Sequence, residues 1–289
     1  MNKPRLTPRL KGDLILLLTA VVWGSGFAAQ RLGSDSMSAL YFNASRFLLG
    51  GLILLTLARF RWPLERRHLP LAGLAGLLLF GGAFLQQSAI GATTVGNVAF
   101  ITGLYVVLVP ILMALLWRHR TSPTSWLAAL VAAGGVALLS LQDNFQVRPG
   151  DFLALLGAVL WAGHVVLIGR LPKAVDSYAF AIAQFLVCGA LNLLLGLLFD
   201  TGGISRVALG WPAVLYAAAF PTAVGFTLQI FGQRGAPAVD AAIVLSLETV
   251  FGALFGVLFF AEAFAPRQLL GCILILGAIV LCQVKSVRE

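Results

Sequence analysis

Charge is what this sequence most lacks. Asp, Glu, Lys and Arg make up 11% of its 289 residues, where a soluble domain carries about a quarter. Apolar residues fill 60% of the chain, and the mean hydropathy is +0.95. A globule of this composition could not cover its apolar surface in water, which excludes a water-soluble domain. Cysteine is scarce too: Cys188, Cys272 and Cys282 each sit inside an apolar run, and none has CxxC spacing. That speaks against a zinc site or a disulfide framework and leaves small apolar packing residues. Enzyme signatures are missing as well. The chain has no Walker loop, no HExxH, no G-x-S-x-G and no His-rich redox pair. We therefore expect no catalytic residue, no metal and no cofactor.

The charge that is present leans positive, +9 from 20 Lys and Arg against 11 Asp and Glu. A nucleic-acid partner does not follow. The basic residues form short clusters between apolar runs, and no domain is left over to bind nucleic acid. Basic residues at membrane boundaries follow instead from the positive-inside bias. The expected partners are the lipid bilayer and a small-molecule substrate.

A helix crossing about 30 Å of hydrocarbon needs about 20 residues. Apolar stretches of that length run over 13–32, 38–58, 69–90, 94–117, 123–141, 151–170, 176–199, 211–232, 237–262 and 266–284. The breaks carry turn formers and charges, such as Gly33-Ser34-Asp35, Arg59 to His68, Gly91-Ala92-Thr93, Pro172 and Gly235-Ala236-Pro237. The runs do not alternate as β-barrel strands would. The basic start MNKPRLTPRLKGD leads into an apolar run too long for a signal peptide's core, so it reads as a retained first helix. The fold expected is an all-α integral membrane protein of ten transmembrane helices. With the N-terminus cytoplasmic, inside segments hold Lys3, Arg5, Arg9, Lys11, Arg59, Arg61, Arg66, Arg67, Arg118, Arg120, Arg170, Lys173, Arg234, Lys285 and Arg288. Outside segments hold only Arg31, Arg148, Arg206 and Arg267. Both termini are thus expected in the cytoplasm of a cell with an inner membrane.

The sequence repeats itself. GDLILLLTAVVWGSGF, from Gly12, lies over GDFLALLGAVLWAGHV, from Gly150, at an offset of 138 that sets Trp23 over Trp161. Phe42, Phe47 and Leu48 keep that offset with Phe180, Phe185 and Leu186; later it drifts to 144, where GATTV from Gly91 lies over GAPAV from Gly235. The expected units are residues 12–142 and 150–284, five helices each. Because five is odd, the second unit must be inverted relative to the first. Inverted repeats of this kind occur in secondary transporters, with the substrate site near the midplane between the halves. With no ATP-hydrolysing module in the chain, transport would be passive or driven by a gradient.

The pattern GD-x-x-x-LL-x-AV-x-W opening each half, Arg46-Phe47 in the second span, and the run SLETVFGALFGVLFFAEAFAPRQLLGCILILGAIVL resemble the drug/metabolite transporter superfamily, EamA-domain branch. The resemblance covers about residues 12–284. Its most specific part is Glu262 ending one helix, followed by Gln268, Leu270-Gly271 and a glycine-interrupted last helix. It implies export of small metabolites and is nearest to the YddG-type aromatic amino-acid and metabolite exporters. The two halves also depart from each other: Trp117-Arg118 stands against Ala261-Glu262, and Pro110 against Leu254. The acidic residue that small multidrug exporters of the superfamily carry within their first span is absent, Asp13 lying at its edge.

Charges within spans are expensive and are functional candidates by default. Arg46 and Glu248 are the two well inside. Glu248 could bind an ammonium group or a proton, or serve as a buried partner for Arg46 or for backbone and hydroxyl groups. Arg46 could recognise a substrate carboxylate or act in structure or at the lipid interface. Trp161 and His164 share a helix face, and Trp23, Gly26 and Gln30 form the counterpart stripe. Gln86, Gln87, Asn97, Thr102, Tyr105 and Gln229 supply neutral amides and hydroxyls, which bind a zwitterion without the cost of burying fixed charge. Each could equally be helix–helix glue. The candidate substrate-binding set is Trp23, Gln86, Gln87, Asn97, Tyr105, Trp161, His164, Gln229 and Glu248. Pro110 and Pro221 remove backbone donors inside spans and are candidate kinks or hinges. Glycine pairs such as Gly252 and Gly256 permit close helix approach, within one chain or across a homodimer.

The leading expectation is an inner-membrane secondary transporter that exports amino acids and related metabolites by alternating access. The alternatives are a multidrug or cation exporter using Glu248, an intramembrane enzyme or lipid-handling protein, and a nucleotide-sugar carrier. The last is disfavoured because Arg46 alone is meagre for a diphosphate.

Overall fold

The computed structural model describes residues 7–60, 64–118, 120–140, 147–200, 207–260 and 265–288, apart from the side chains of 256, 257, 259, 260 and 282–288. Glu262, Lys3, Arg5, Arg61 and Arg206 lie outside the described residues, as do the side chains of Cys282, Lys285 and Arg288.

The ten apolar runs are ten helical spans. They are α1 (Pro8–Ser36), α2 (Ala39–Leu57), α3 (Leu69–Ala92), α4 with α5 (Val95–Gly103 and Tyr105–Trp117), α6 (Pro123–Ser140), α7 (Pro149–Ile168) and α8 (Ser177–Phe199). The eighth span joins α9 (Trp211–Ala217), a π-helical stretch Ala218–Phe226 and α10 (Thr227–Gln233). The ninth joins α11 (Ala238–Leu245) and α12 (Leu247–Phe260), and the tenth is α13 (Pro266–Arg288). Among the described residues nine of these spans are long and apolar enough to cross a membrane, and the tenth has the shorter apolar core Pro266–Leu281.

Local chemistry sets the helix starts. Thr7, Ser38, Thr94 and Asp176 are N-caps whose side chains accept from the backbone N–H three residues on, satisfying donors that a helix start leaves open. Pro8, Pro149 and Pro266 stand at first helical positions, where no backbone donor is needed. Leucines such as Leu14, Leu18, Leu52 and Leu77 face outward, into what would be lipid. Lipid is as apolar as leucine, so the helices cohere by close packing through small residues. A Cβ on Gly135 would stand 2.7 Å from the Gly271 carbonyl oxygen, so α6 and α13 touch backbone to backbone.

The packing is symmetric under exchange of the two halves. The second span packs on the seventh (α2 on α8) and the fifth on the tenth (α6 on α13). The third and fourth pack on the sixth (α3, α4 and α5 on α7), as the eighth and ninth pack on the first (α10 and α12 on α1). Gly12 abuts Gly235 in the turn between the eighth and ninth spans, and Gly150 abuts Ala92 in the turn between the third and fourth. An odd number of crossings separates these corners, so they lie on opposite faces. The fold is two five-helix repeats of opposite orientation. We call the face bearing Pro8 the terminal face.

Three irregularities interrupt the spans. The fourth breaks at Leu104, between α4 and α5, and the ninth at Ser246, between α11 and α12. Pro221 lies within the π-helical stretch. A proline cannot donate to the preceding turn, and a π-bulge absorbs the misfit. Pro110 lies inside the continuous α5.

Candidate functional site

All three irregularities border one place. A cavity of about 50 Å³ lies between the halves, lined by Trp23, Phe27 and Gln30 of α1, Arg46 of α2, Gln86 of α3, Thr102 of α4 and Tyr105 of α5. Trp161 and Val165 of α7, Pro221 and Phe226 of the π-helical stretch, Gln229 of α10 and Glu248 of α12 complete it. Thr102 and Tyr105 flank the Leu104 break, and Glu248 follows the break at Ser246. Broken helices presented to a midplane cavity are the usual way a membrane carrier frees polar groups for a ligand.

One wall is aromatic, with Phe226 at its hub. Its ring centroid lies 4.9 Å from Trp23 and 5.8 Å from Trp161, stacked on the latter. Each tryptophan has room because a glycine faces it, Gly225 for Trp23 and Gly82 for Trp161. The Trp23 indole N–H donates to the Pro221 carbonyl at 3.0 Å, tying the first span to the π-helical stretch of the eighth.

The polar wall holds both signs of charge. Arg46 is buried, its Nε donates to Asn43 Oδ1 at 2.9 Å, and its guanidinium lies over the Phe47 ring, 4.7 Å from the centroid. Such contacts offset part of the cost of a buried cation. Glu248 lines the same cavity, beside the Tyr105 hydroxyl. Among the described residues, Arg46 and Glu248 form no ion pair with each other. Gln86 Nε2 donates to Thr102 Oγ1 at 3.3 Å, and Gln229 Nε2 to Gln233 Oε1 at 2.9 Å. Three buried polar atoms of the lining find no hydrogen-bond partner within the described chain: Gln30 Oε1, Trp161 Nε1 and Gln229 Oε1. Buried polar groups are seldom left so, and these three border one cavity.

Six of the nine residues singled out from the sequence line this cavity: Trp23, Gln86, Tyr105, Trp161, Gln229 and Glu248. The other three are held elsewhere. Gln87 Nε2 donates to the Gln30 carbonyl at 2.9 Å and to Ser34 Oγ at 2.7 Å, joining α3 to α1. Asn97 Nδ2 donates to Asp151 Oδ1 at 3.1 Å. His164 is fully buried behind the aromatic wall, its Nε2 3.0 Å from Gln184 Oε1 and its ring edge-on to Phe226. Phe27, Val165 and Phe226 line the cavity without having been singled out. Val165 stands 138 residues after Phe27, so the repeat that pairs Trp23 with Trp161 also pairs these two.

The Gly-Asp corners at the two faces are held by different chemistry. At the terminal face Arg9 donates to Asp240 at 2.7 Å and reaches Asp13 at 3.9 Å. Beneath lies a dense apolar cluster that includes Leu16, Val106, Val109, Ile243 and Leu245. At the opposite face Asp151 Oδ1 accepts from Thr93 Oγ1 at 2.7 Å, and Asp151 Oδ2 from the Arg148 backbone N–H at 2.8 Å.

A family model described as "EamA-like transporter family" matches the chain twice, over residues 10–141 and 148–283. An "Uncharacterized transporter" of Archaeoglobus fulgidus is 31% identical over 96% of this chain and 87% of its own length. An "Uncharacterized inner membrane transporter YedA" of Escherichia coli K12 is 26% identical over 90% of this chain and 87% of its own. In overall shape the chain matches a solved crystal structure with a TM-score of 0.83, covering 97% of this chain and 98% of that one, at 21% sequence identity. That last likeness speaks to the fold alone.

Proposed function

From the premise that the chain belongs to the EamA-like transporter family, we propose that it exports amino acids and related small metabolites by alternating access between its two inverted halves. The observation that carries this reading is the midplane cavity, where Arg46 and Glu248 face one space beside an aromatic wall and three unpartnered polar atoms. A zwitterion presents a carboxylate to Arg46 and an ammonium to Glu248, and its side chain meets Trp23, Trp161 and Phe226. Gln86, Tyr105 and Gln229 supply hydrogen bonds that orient it without further fixed charge. The basic residues Arg9, Lys11, Arg59, Arg66, Arg67, Arg118, Arg170 and Arg234 lie toward the terminal face, which the positive-inside bias assigns to the cytoplasm of an inner membrane. Pro221, at the π-helical stretch that accepts the Trp23 bond, is the hinge this reading favours over Pro110, which sits in an unbroken helix.

Reconstitution in liposomes with radiolabelled aromatic and aliphatic amino acids tests the reading. Uptake above empty liposomes is expected, and movement of some other solute with no amino acid moving would overturn it.

A second reading rests on Glu248 being the only carboxylate in the cavity lining among the described residues. A proton- or cation-coupled drug exporter would use it alone. Glu248→Gln would then abolish proton-linked efflux of an organic cation, whereas the amino-acid reading expects no such efflux from the unsubstituted protein.

A further inference from the structure

Cargo-sized space in this structure lies away from the midplane. As closed in this structure the central cavity, about 50 Å³, has room for a few waters at about 10–15 Å³ each, and seating a metabolite there requires the two halves to move apart. A second cavity of about 450 Å³ opens toward the face opposite the termini, between the first, fourth, fifth, ninth and tenth spans. That volume falls within the roughly 300–1,000 Å³ of small-molecule sites.

Phe27 lines both cavities. It follows Trp23 by one helical turn and lies half-buried, against the bare backbone of Gly252, where a Cβ would meet its ring at 3.4 Å. The neighbouring Gly24 brings α1 into backbone contact with α12. A glycine on the facing helix therefore leaves the ring no side chain to pack on from that side. Arg31 and Arg267 border the larger cavity, with Ser140 and Thr249 on its walls and an apolar floor that includes Ala99. Arg31 pairs with Asp35 at 3.6 Å, but both side chains are about half exposed. An exposed pair of this kind holds weakly and can yield to another carboxylate.

We propose that the larger cavity is a second, outer solute site, taking a solute with a carboxylate at Arg31 and an apolar body over Phe27, and that the Phe27 ring is the barrier between it and the central site. This rests on the transport reading for its purpose, but its test needs no transport.

The test uses the full chain in lipid nanodiscs, with Cys188, Cys272 and Cys282 replaced by alanine and one cysteine introduced at a time. Ala99→Cys reports the outer cavity and Thr102→Cys the central one. With a charged methanethiosulfonate reagent, Ala99→Cys is expected to react roughly tenfold or more faster, because the central position is reached only through a minor open state. Phe27→Ala should raise the Thr102→Cys rate to near the outer rate, with a monodisperse chromatographic peak and an unfolding temperature within a few degrees of the parent reporting that the variant folds. Phe27→Leu, which keeps apolar bulk, should fall between. L-Phenylalanine should protect Ala99→Cys, phenethylamine, which lacks the carboxylate, should not, and Arg31→Gln should weaken the protection.

A Thr102→Cys rate unmoved by Phe27→Ala overturns the barrier. Equal protection by both compounds, or none, overturns the solute site. Reaction of Ala99→Cys with a lipophilic maleimide but not with the charged reagent means that lipid fills the cavity, and the proposal fails. If labelling and protection behave as stated while no amino acid crosses in liposomes, it is the function reading that fails.

Discussion

The two Gly-Asp corners begin from matching sequence and end as unlike seals. Gly12-Asp13 opens the first half and Gly150-Asp151 the second, 138 residues apart. Sterically they agree, since each glycine presses its bare backbone onto the tight turn before the broken span of a repeat. Chemically they differ. Asp13 shares Arg9 with Asp240, an ionic cluster, whereas Asp151 is held by the Thr93 hydroxyl, the Asn97 amide and a backbone N–H. The difference tracks the openness of each face, because the ionic corner caps a dense apolar cluster and the neutral one lies on the face where the larger cavity opens. Duplication thus fixes the backbone geometry and leaves the strength of each latch free to diverge.

The steric likeness predicts the largest effect. A Cβ on Gly12 would stand 2.8 Å from the Gly232 carbonyl oxygen, and one on Gly150 2.8 Å from the Ala92 carbonyl carbon. These are backbone atoms that cannot swing aside, so Gly12→Val and Gly150→Val should each cost about 1–3 kcal/mol or more. Thermal unfolding of the purified protein, followed by loss of the monodisperse chromatographic peak, should drop by several degrees for both. Tolerance of one variant and collapse of the other would break the equivalence of the corners.

The chemical difference predicts the next effect. Arg9→Gln leaves the Asp13 and Asp240 carboxylates close together without the shared cation. Hydrogen bonds to charged groups contribute about 1.5–3 kcal/mol, and the Arg9 side chain is 25% exposed, so about 1–2 kcal/mol is expected after screening by solvent. The penalty should shrink in about 1 M salt, where charges are screened over about 3 Å. A penalty independent of salt would mean that Arg9 acts by packing.

How far the sequence shows these features depends on what each residue contrasts with. The ten spans are legible because charged and turn-forming residues punctuate apolar runs, and Trp23 with Trp161 because the repeat aligns them. The breaks at Leu104 and Ser246 are not legible, since neither carries a proline and a lone Gly103 or Glu248 beside them reads equally well within a continuous span. Phe27 and Phe226 escape notice because in a helix apolar on every side the face turned to a cavity has no periodic signature. Polar residues present the opposite difficulty. Gln86 and Gln87 are adjacent amides in one span, yet one lines the cavity and the other bonds to α1. That choice is made by helix rotation and by partners more than fifty residues away, which no local pattern encodes. Arg46 shows the repeat failing in an informative way. Its counterpart at the same offset is Gln184, covered by His164, and Gly26 stands where His164 would be. The first half thus carries a charge to the cavity that the second half does not.

The smallest effect belongs to the neutral corner and sharpens the contrast with Arg9. Thr93→Val removes the hydroxyl that donates to Asp151 Oδ1 but keeps the side-chain shape, and that carboxylate retains Asn97 and the Arg148 N–H. With two of the donors still in place the expected loss is about 1 kcal/mol. It should not change between low salt and about 1 M, because no mobile countercharge replaces a hydroxyl. The same variant should raise the reactivity of a cysteine at Ala99 toward a charged reagent only slightly, since that cavity is already open in this structure. A salt-dependent loss as large as that of Arg9→Gln would show that the Asp151 corner works as an ionic latch after all, and that the two ends of the molecule are closed by one kind of bond.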